Sequence, residues 1–173
     1  MIRPLSPAEA PLAAEIYQLC AREMNAHGFY NWSEQYPSVR EASLDAQAGT
    51  LYGYFHHDAL CGVVTLDQNE VPQYASLPFR VSCREALTTH RLAVSPLHQH
   101  RGISRELLRF AFSLVTEKGL RALHIDCLSI NPGPMRLIDS LGFQRVGAIY
   151  YPEKDPRVRD YPFYCFEKVL TIE

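Results

Sequence analysis

Long apolar runs are missing from this 173-residue chain. No stretch approaches the ~18 residues that a membrane-spanning helix needs. The opening Met1-Ile2-Arg3-Pro4-Leu5 lacks the apolar core of a signal peptide. An excess of one charge is missing too: Lys and Arg number 17 against 19 Asp and Glu, for a formal net charge of -2. No Lys/Arg run occurs, which argues against nucleic acid as a partner. Cysteine is scattered and odd in number (Cys20, Cys61, Cys83, Cys127, Cys165), with no CxxC pair. Such thiols read as reduced and mostly buried, which favours a cytoplasmic protein. Repeats, low-complexity tracts and linkers are also absent. The 47% hydrophobic and 21% charged residues that remain suit one globular domain over 1–173, long enough to bury a core.

Punctuation along the chain predicts the elements. Ser6-Pro7-Ala8-Glu9 combines an N-cap, a proline at the first helical position and a closing glutamate, so a helix is expected over about 7–25. Ser38-Val39-Arg40-Glu41 repeats the signature for a shorter helix that stops at Gly49. Runs 51–56 and 60–66 around His57-Asp58 read as a β-hairpin. Residues 67–86 lack periodicity and are expected to form a long loop, with or without a short strand in it. Strands are then expected over 87–94, 120–126, 143–151 and 163–170, and helices over 104–118 and 132–141. Strand, helix, strand in that order implies a parallel right-handed crossover, hence an α/β fold with a mixed sheet.

The informative stretch is His90-Arg91-Leu92-Ala93-Val94-Ser95-Pro96-Leu97-His98-Gln99-His100-Arg101-Gly102-Ile103-Ser104. A strand ends at Val94, a short polar loop follows, and a helix opens near Ser104. Free backbone N–H groups and the positive end of a helix dipole therefore meet at one place. Gly102 lets the backbone approach a ligand and Arg101 adds charge, which marks a phosphate site. A dinucleotide GxGxxG and a Walker Lys-Ser/Thr pair are both absent.

Gln99-His100-Arg101-Gly102-Ile103-Ser104 resembles the diphosphate loop of the GNAT N-acetyltransferases, Gln/Arg-x-x-Gly-x-Gly/Ala, with Ser104 at the last place. Leu92-Ala93-Val94-Ser95-Pro96 is similar to the family's preceding strand. Asn131 and Leu137-Ile138-Asp139-Ser140-Leu141-Gly142-Phe143 resemble its later Asn…Leu-Tyr-x-x-Leu-Gly-Phe. Asn31-Trp32 and Tyr36-Pro37-Ser38 resemble a bacterial subgroup of unassigned substrate. The resemblance covers 87–147. It implies a single-domain GNAT fold: a mixed, mostly antiparallel sheet of six to seven strands, helices on both faces, and a parallel splayed strand pair forming the acetyl-CoA cleft. It also implies an acetyl-CoA-dependent transferase that moves an acetyl group to a primary amine of a small molecule or peptide by direct attack, with no metal and no membrane partner. The rival is a non-catalytic acyl-CoA-binding or sensing module. The oligomeric state, a homodimer included, stays open.

The resemblance implies roles for individual residues. The backbone of Leu92, Ala93 and Val94 would pair with the pantetheine arm, and an N–H near Val94 would polarise the thioester carbonyl. The amides of Gln99, His100, Arg101, Gly102, Ile103 and Ser104 would hold the pyrophosphate. His90, alternating with Leu92 and Val94 on one strand face, stands where some members carry a basic histidine. It suits proton removal from an ammonium, or a hydrogen bond within the sheet. Glu70 stands near the place of a general-base glutamate in many members, or is a solvated loop residue. Asp126 orients the substrate or makes a structural hydrogen bond. Asn131 bonds the pantetheine amides, caps the helix after it, or does both. Trp32 and Tyr36, with Tyr30, wall an acceptor pocket or pack between the first helices and the sheet. Ile138 replaces the family's usual Tyr proton donor, which leaves Tyr150, Tyr151 or water for that task. His56-His57 and His98-x-His100 are not read as metal ligands: neighbouring strand histidines are expected to point to opposite faces, and the loop pair lacks a third ligand.

Overall fold

The computed structural model describes residues 1–170. Seven strands form one sheet of order β1-β2-β3-β4-β5-β7-β6. They are β1 (Ile2–Pro4), β2 (Leu51–His56), β3 (Ala59–Asp67), β4 (Ala86–Val94), β5 (Ala122–Leu128), β6 (Gln144–Ile149) and β7 (Phe163–Val169). The helices are α1 (Ala10–Ala26), α2 (Val39–Gln47), α3 (Ile103–Glu117) and α4 (Pro132–Ser140). β4 and β5 run parallel, while β1–β2, β2–β3, β5–β7 and β6–β7 are antiparallel. By contact the chain forms two compact units, 1–66 with 90–110, and 67–89 with 111 onward.

In the first unit both expected capping boxes form. Ser6 donates its amide and its hydroxyl to Glu9 Oε2, each at 2.9 Å. Ser38 does the same to Glu41 at 2.8 and 2.7 Å. The first turn, Pro7–Glu9, is 3-10 and runs into α1. The strand Ile2–Pro4 was not expected from the sequence. Three residues carry no period, and its proline is tolerated because the strand lies at the sheet edge, pairing with Tyr52–Tyr54.

Helices cover both faces of this unit's strands. Ala13, Ile16, Tyr17 and Cys20 of α1, and Ala42 and Ala46 of α2, share one apolar cluster with Leu51, Phe55, Val63 and Ala93. Tyr52, which alternates with Leu51, instead meets Phe110 of α3 at a ring distance of 5.0 Å. Gly62 permits the close seat of α3, since a Cβ there would lie 3.0 Å from Ile103 and 3.1 Å from the Ala93 carbonyl. Leu107 and Leu108 are fully buried, each burial being worth about 1.5–3 kcal/mol.

In the second unit β5 pairs with β7 along its whole length, from Ala122↔Val169 to Leu128↔Phe163. Its parallel ladder with β4 comprises three pairs, Ala86↔Ala122 to Thr88↔His124. β5 starts two residues later than the sequence suggested, because Leu120 still closes the preceding helix: its amide reaches back to the Val115 carbonyl at 2.9 Å, beyond Gly119. The aperiodic 67–86 segment contains two 3-10 turns, Pro72–Ser76 and Cys83–Glu85, and no strand before β4. It is a strap tied to β5 and β7 by side chains. No helix among the described residues is long and apolar enough to cross a membrane.

Candidate functional site

The 95–102 loop connects β4 to the 15-residue α3. Its start is fastened by the Ser95 amide on the Cys61 carbonyl at 2.9 Å, and by Gln99 Nε2 on the Val94 carbonyl at 3.3 Å. Pro96–His98 forms a 3-10 turn, and His100 and Gly102 then adopt positive φ of 61° and 80°. Nothing lies within 4 Å of where a Gly102 Cβ would stand, so the space over the loop is open. The Glu106 amide bonds the Gly102 carbonyl at 3.1 Å. Gly102 is thus the N-terminal cap position of α3, and the next amides precede the first intrahelical bond. His100, Arg101 and Gly102 are exposed. An anion placed here meets backbone donors, a guanidinium and the helix dipole together. Of the loop residues read from the sequence, 99–102 are the turn and Ile103 and Ser104 open the helix.

Upstream, β4 departs from a regular strand. Arg91 has a φ of 50°, which interrupts the pleat. The period-two alternation that would put His90 on one face with Leu92 and Val94 therefore does not run through it, and the burial of β4 shows no alternation. The kink lets the Arg91 side chain grip Asp45 of α2 through Nε at 3.0 Å and Nη2 at 2.7 and 2.9 Å. Burial works against its charge, but Asp45 and then Tyr36 more than offset it and hold the guanidinium above its ordinary pKa. Thr65 Oγ1 donates to the same Asp45 carboxylate at 2.7 Å. Next to this anchor in the strand stands His90, which is half-buried. Leu92 is half-buried, while Ala93 and Val94 are buried. Cys20 Sγ donates to the Val94 carbonyl at 3.2 Å, and burial pushes that thiol up to about 12.

Tyr36 is exposed and leans on Arg91 by a hydrogen bond. Trp32 is partly buried against the α1–α2 cluster, its ring edge-on to Tyr17 at 5.6 Å. Of the two, Tyr36 is the more exposed. His56 and His57 do not point to opposite faces as a continued strand would require. β2 ends at His56, His57 turns with a φ of 51°, and the two rings lie 4.4 Å apart. Among the described residues no three His, Cys, Asp or Glu converge as metal ligands.

In the second unit Glu70 is neither in open solvent nor alone. His124 of β5, fully buried, places Nδ1 3.3 Å from Glu70 Oε1 and Nε2 3.2 Å from Glu167 Oε1. Phe79 stacks on the imidazole at 4.0 Å, and Glu167 also accepts the Arg80 and Val81 amides at 3.2 and 2.9 Å. Two residues along β5, Asp126 Oδ2 accepts the Tyr74 hydroxyl at 2.9 Å and the Tyr151 hydroxyl at 2.7 Å. Burial, then the Asp126 charge, raises the Tyr74 phenol well above its ordinary range. Burial lowers the Lys154 ammonium, against the pull of Asp126 and Glu153. Asn131 caps α4, its Oδ1 accepting the Gly133 amide at 3.3 Å. Ile138 is buried in the core. Sequence reasoning passed over His124 and Glu167; a histidine between Leu123 and Ile125 in an apolar strand was the available signal.

A sequence model of the acetyltransferase (GNAT) family matches residues 13–143. No curated protein matches the chain. Among solved structures it is similar to an acetyltransferase of the GNAT family from Streptococcus agalactiae, with a TM-score of 0.77, 18% identity, and 99% of this chain and 96% of that one covered. The Salmonella typhimurium protein yncA, assigned as an acetyltransferase and solved with its cofactor acetyl-CoA, gives 0.75 at 17% identity, with 100% and 95% covered. Ribosomal-protein-alanine N-acetyltransferase from Brucella melitensis gives 0.74 at 16%, with 98% and 99% covered. Likeness at these identities speaks for the fold.

Proposed function

The chain belongs to the acetyltransferase (GNAT) family, and from that premise we propose that it moves an acetyl group from acetyl-CoA to a primary amine of a small molecule or peptide by direct attack. The observation that carries this reading is the loop before α3: positive φ at His100 and Gly102, open space over Gly102, and exposed Arg101 at a helix N-terminus. That donor set suits a diphosphate, so the residues fit the coenzyme. Bound there, acetyl-CoA supplies an activated acetyl thioester.

The protein's own groups do the rest. The amides of Gln99, His100, Arg101, Gly102, Ile103 and Ser104 hold the diphosphate. The backbone of Leu92, Ala93 and Val94 orients the pantetheine arm, with Asn131 as a further contact that its capping role leaves compatible. An N–H near Val94 offers a donor to the carbonyl oxygen as charge develops there, a contact worth a few kcal/mol. His90 takes the proton from the acceptor ammonium. Glu70, beside His124, and Asp126, which accepts from two phenols, are the alternative bases. Tyr36 and Trp32 border the acceptor. Thiols with Cys20's burial do not act as nucleophiles, which supports direct attack.

A second reading, an acyl-CoA-binding or sensing module, is favoured by Ile138, an apolar, buried side chain where relatives carry a proton-donating Tyr. A thiol with a pKa of ~8.5 needs little help to leave, so the enzyme reading stands.

Calorimetry with Gly102→Asp tests the loop. The substitution sets a side chain and a negative charge where the diphosphate approaches, at a φ that strains any L-residue. Acetyl-CoA affinity is expected to fall at least tenfold, about 1.4 kcal/mol, with the fold intact by circular dichroism. Unchanged affinity in a folded variant removes the loop from the coenzyme site.

A further inference from the structure

In the first unit a cavity of about 180 Å³ adjoins the 95–102 loop, walled by Tyr54, His56, His98, Arg101 and Ile103. A single water needs only ~10–15 Å³ on the same measure, so a polyatomic ligand has room. Two imidazoles, a guanidinium and a phenol line it, and no carboxylate does. His98 Nδ1 is buried and has no hydrogen-bond partner among the described residues. A lone pair is cheaper to leave orphaned there than an N–H, so the ring proton belongs on Nε2, which remains as a donor. The His57 ring lies 4.4 Å from that of His56. Ile103 is the first residue of α3, so the positive end of the helix dipole adds to the same wall.

We infer that this cavity is a phosphate-monoester site. A phosphate monoester carries about −1.5 to −2 charge at pH 7 and three acceptor oxygens. The wall answers with Arg101 N–H groups, imidazole N–H donors from His56 and His98, and the Tyr54 hydroxyl. Two sources offer this chemistry. One is the ribose 3′-phosphate of coenzyme A, attached to the same sugar as the diphosphate; this source rests on the proposed loop, and Arg101 belongs both to that loop and to the cavity wall. The other is free inorganic phosphate.

Coenzyme A and 3′-dephospho-coenzyme A titrated into the wild type, His56→Ala and His98→Asn, with inorganic phosphate added in parallel thermal unfolding, separate the cases. The expected result is that the wild type prefers coenzyme A by at least tenfold. In either variant that ratio collapses toward one, while dephospho-coenzyme A binds as before. If the wild type shows no preference but phosphate raises its melting temperature and not that of the variants, the cavity is a site for free phosphate and the inference holds with that source. If neither coenzyme binds, the loop reading fails, and the phosphate arm alone decides the cavity. A wild type that neither discriminates nor responds to phosphate, or variants that keep the full preference, overturns the inference.

Discussion

Cys20 and Cys127 are thiols in name more than in reactivity, because burial pushes each up to about 12. Only the thiolate attacks, and at pH 8 its fraction in such a group is on the order of 10⁻⁴. Cys83 is half-buried; desolvation and the Glu70 carboxylate raise it as well, but it is within reach of solvent. Alkylation of the native protein at pH 8, read by peptide mass, is expected to label Cys83 alone, and Cys83→Ser to abolish labelling until the protein unfolds. Rapid labelling of Cys20 would mean that the Val94 end of β4 is open and its thiol available for covalent chemistry. At His90 the decisive reading is a pH profile. His90→Gln is expected to lower kcat/KM by roughly 10²-fold near neutral pH, with acetyl-CoA affinity nearly unchanged. The deficit should shrink as pH rises, because more of the acceptor amine then arrives without its proton. A loss that is parallel at every pH assigns His90 a structural role.

The elements differ in how much of them the sequence made legible. Capping boxes are local signals, as is the helical spacing of apolar Leu107, Leu108, Ala111 and Leu114 within 104–118, and α1, α2 and α3 formed where such signals point. The kink at Arg91 left no such trace. It exists because Asp45, on another element, repays the strained φ with a bidentate pair, and nothing near Arg91 in sequence announces that. The 67–86 strap was opaque for the same reason: aperiodic and polar, it is held by Glu70, Tyr74 and Phe79 and by the Arg80 and Val81 amides, whose partners are His124, Asp126 and Glu167. A buried imidazole between two carboxylates makes a sharp prediction. His124→Ala leaves the buried Glu167 without its imidazole partner and opens a cavity under Phe79, so chemical denaturation should register a loss of about 3–5 kcal/mol. His124→Gln, whose side-chain amide can still donate to Glu167, should lose less. A loss under ~1 kcal/mol for His124→Ala would show that the cluster does not hold the strap.

Across the molecule, the fold and the form of the 95–102 loop were readable because both rest on order and spacing: a strand, a glycine-bearing loop and a helix in succession. The surroundings of the candidate bases were not, because residue type alone cannot say what a side chain will face. Nothing near Glu70 or Asp126 in sequence announces His124 or the two tyrosines that surround them. Amine acetylation remains the claim on which the account turns. The direct measurement is a mass-resolved assay of acetyl-CoA with a panel of small amines and peptides, counting free thiol and acetylated product in one reaction. The account predicts that at least one amine gains a single acetyl group, that each acetylated molecule is matched by one free thiol, and that Gly102→Asp suppresses both together. Tight acetyl-CoA binding with no amine acetylated across the panel would contradict it and leave a sensing module in its place.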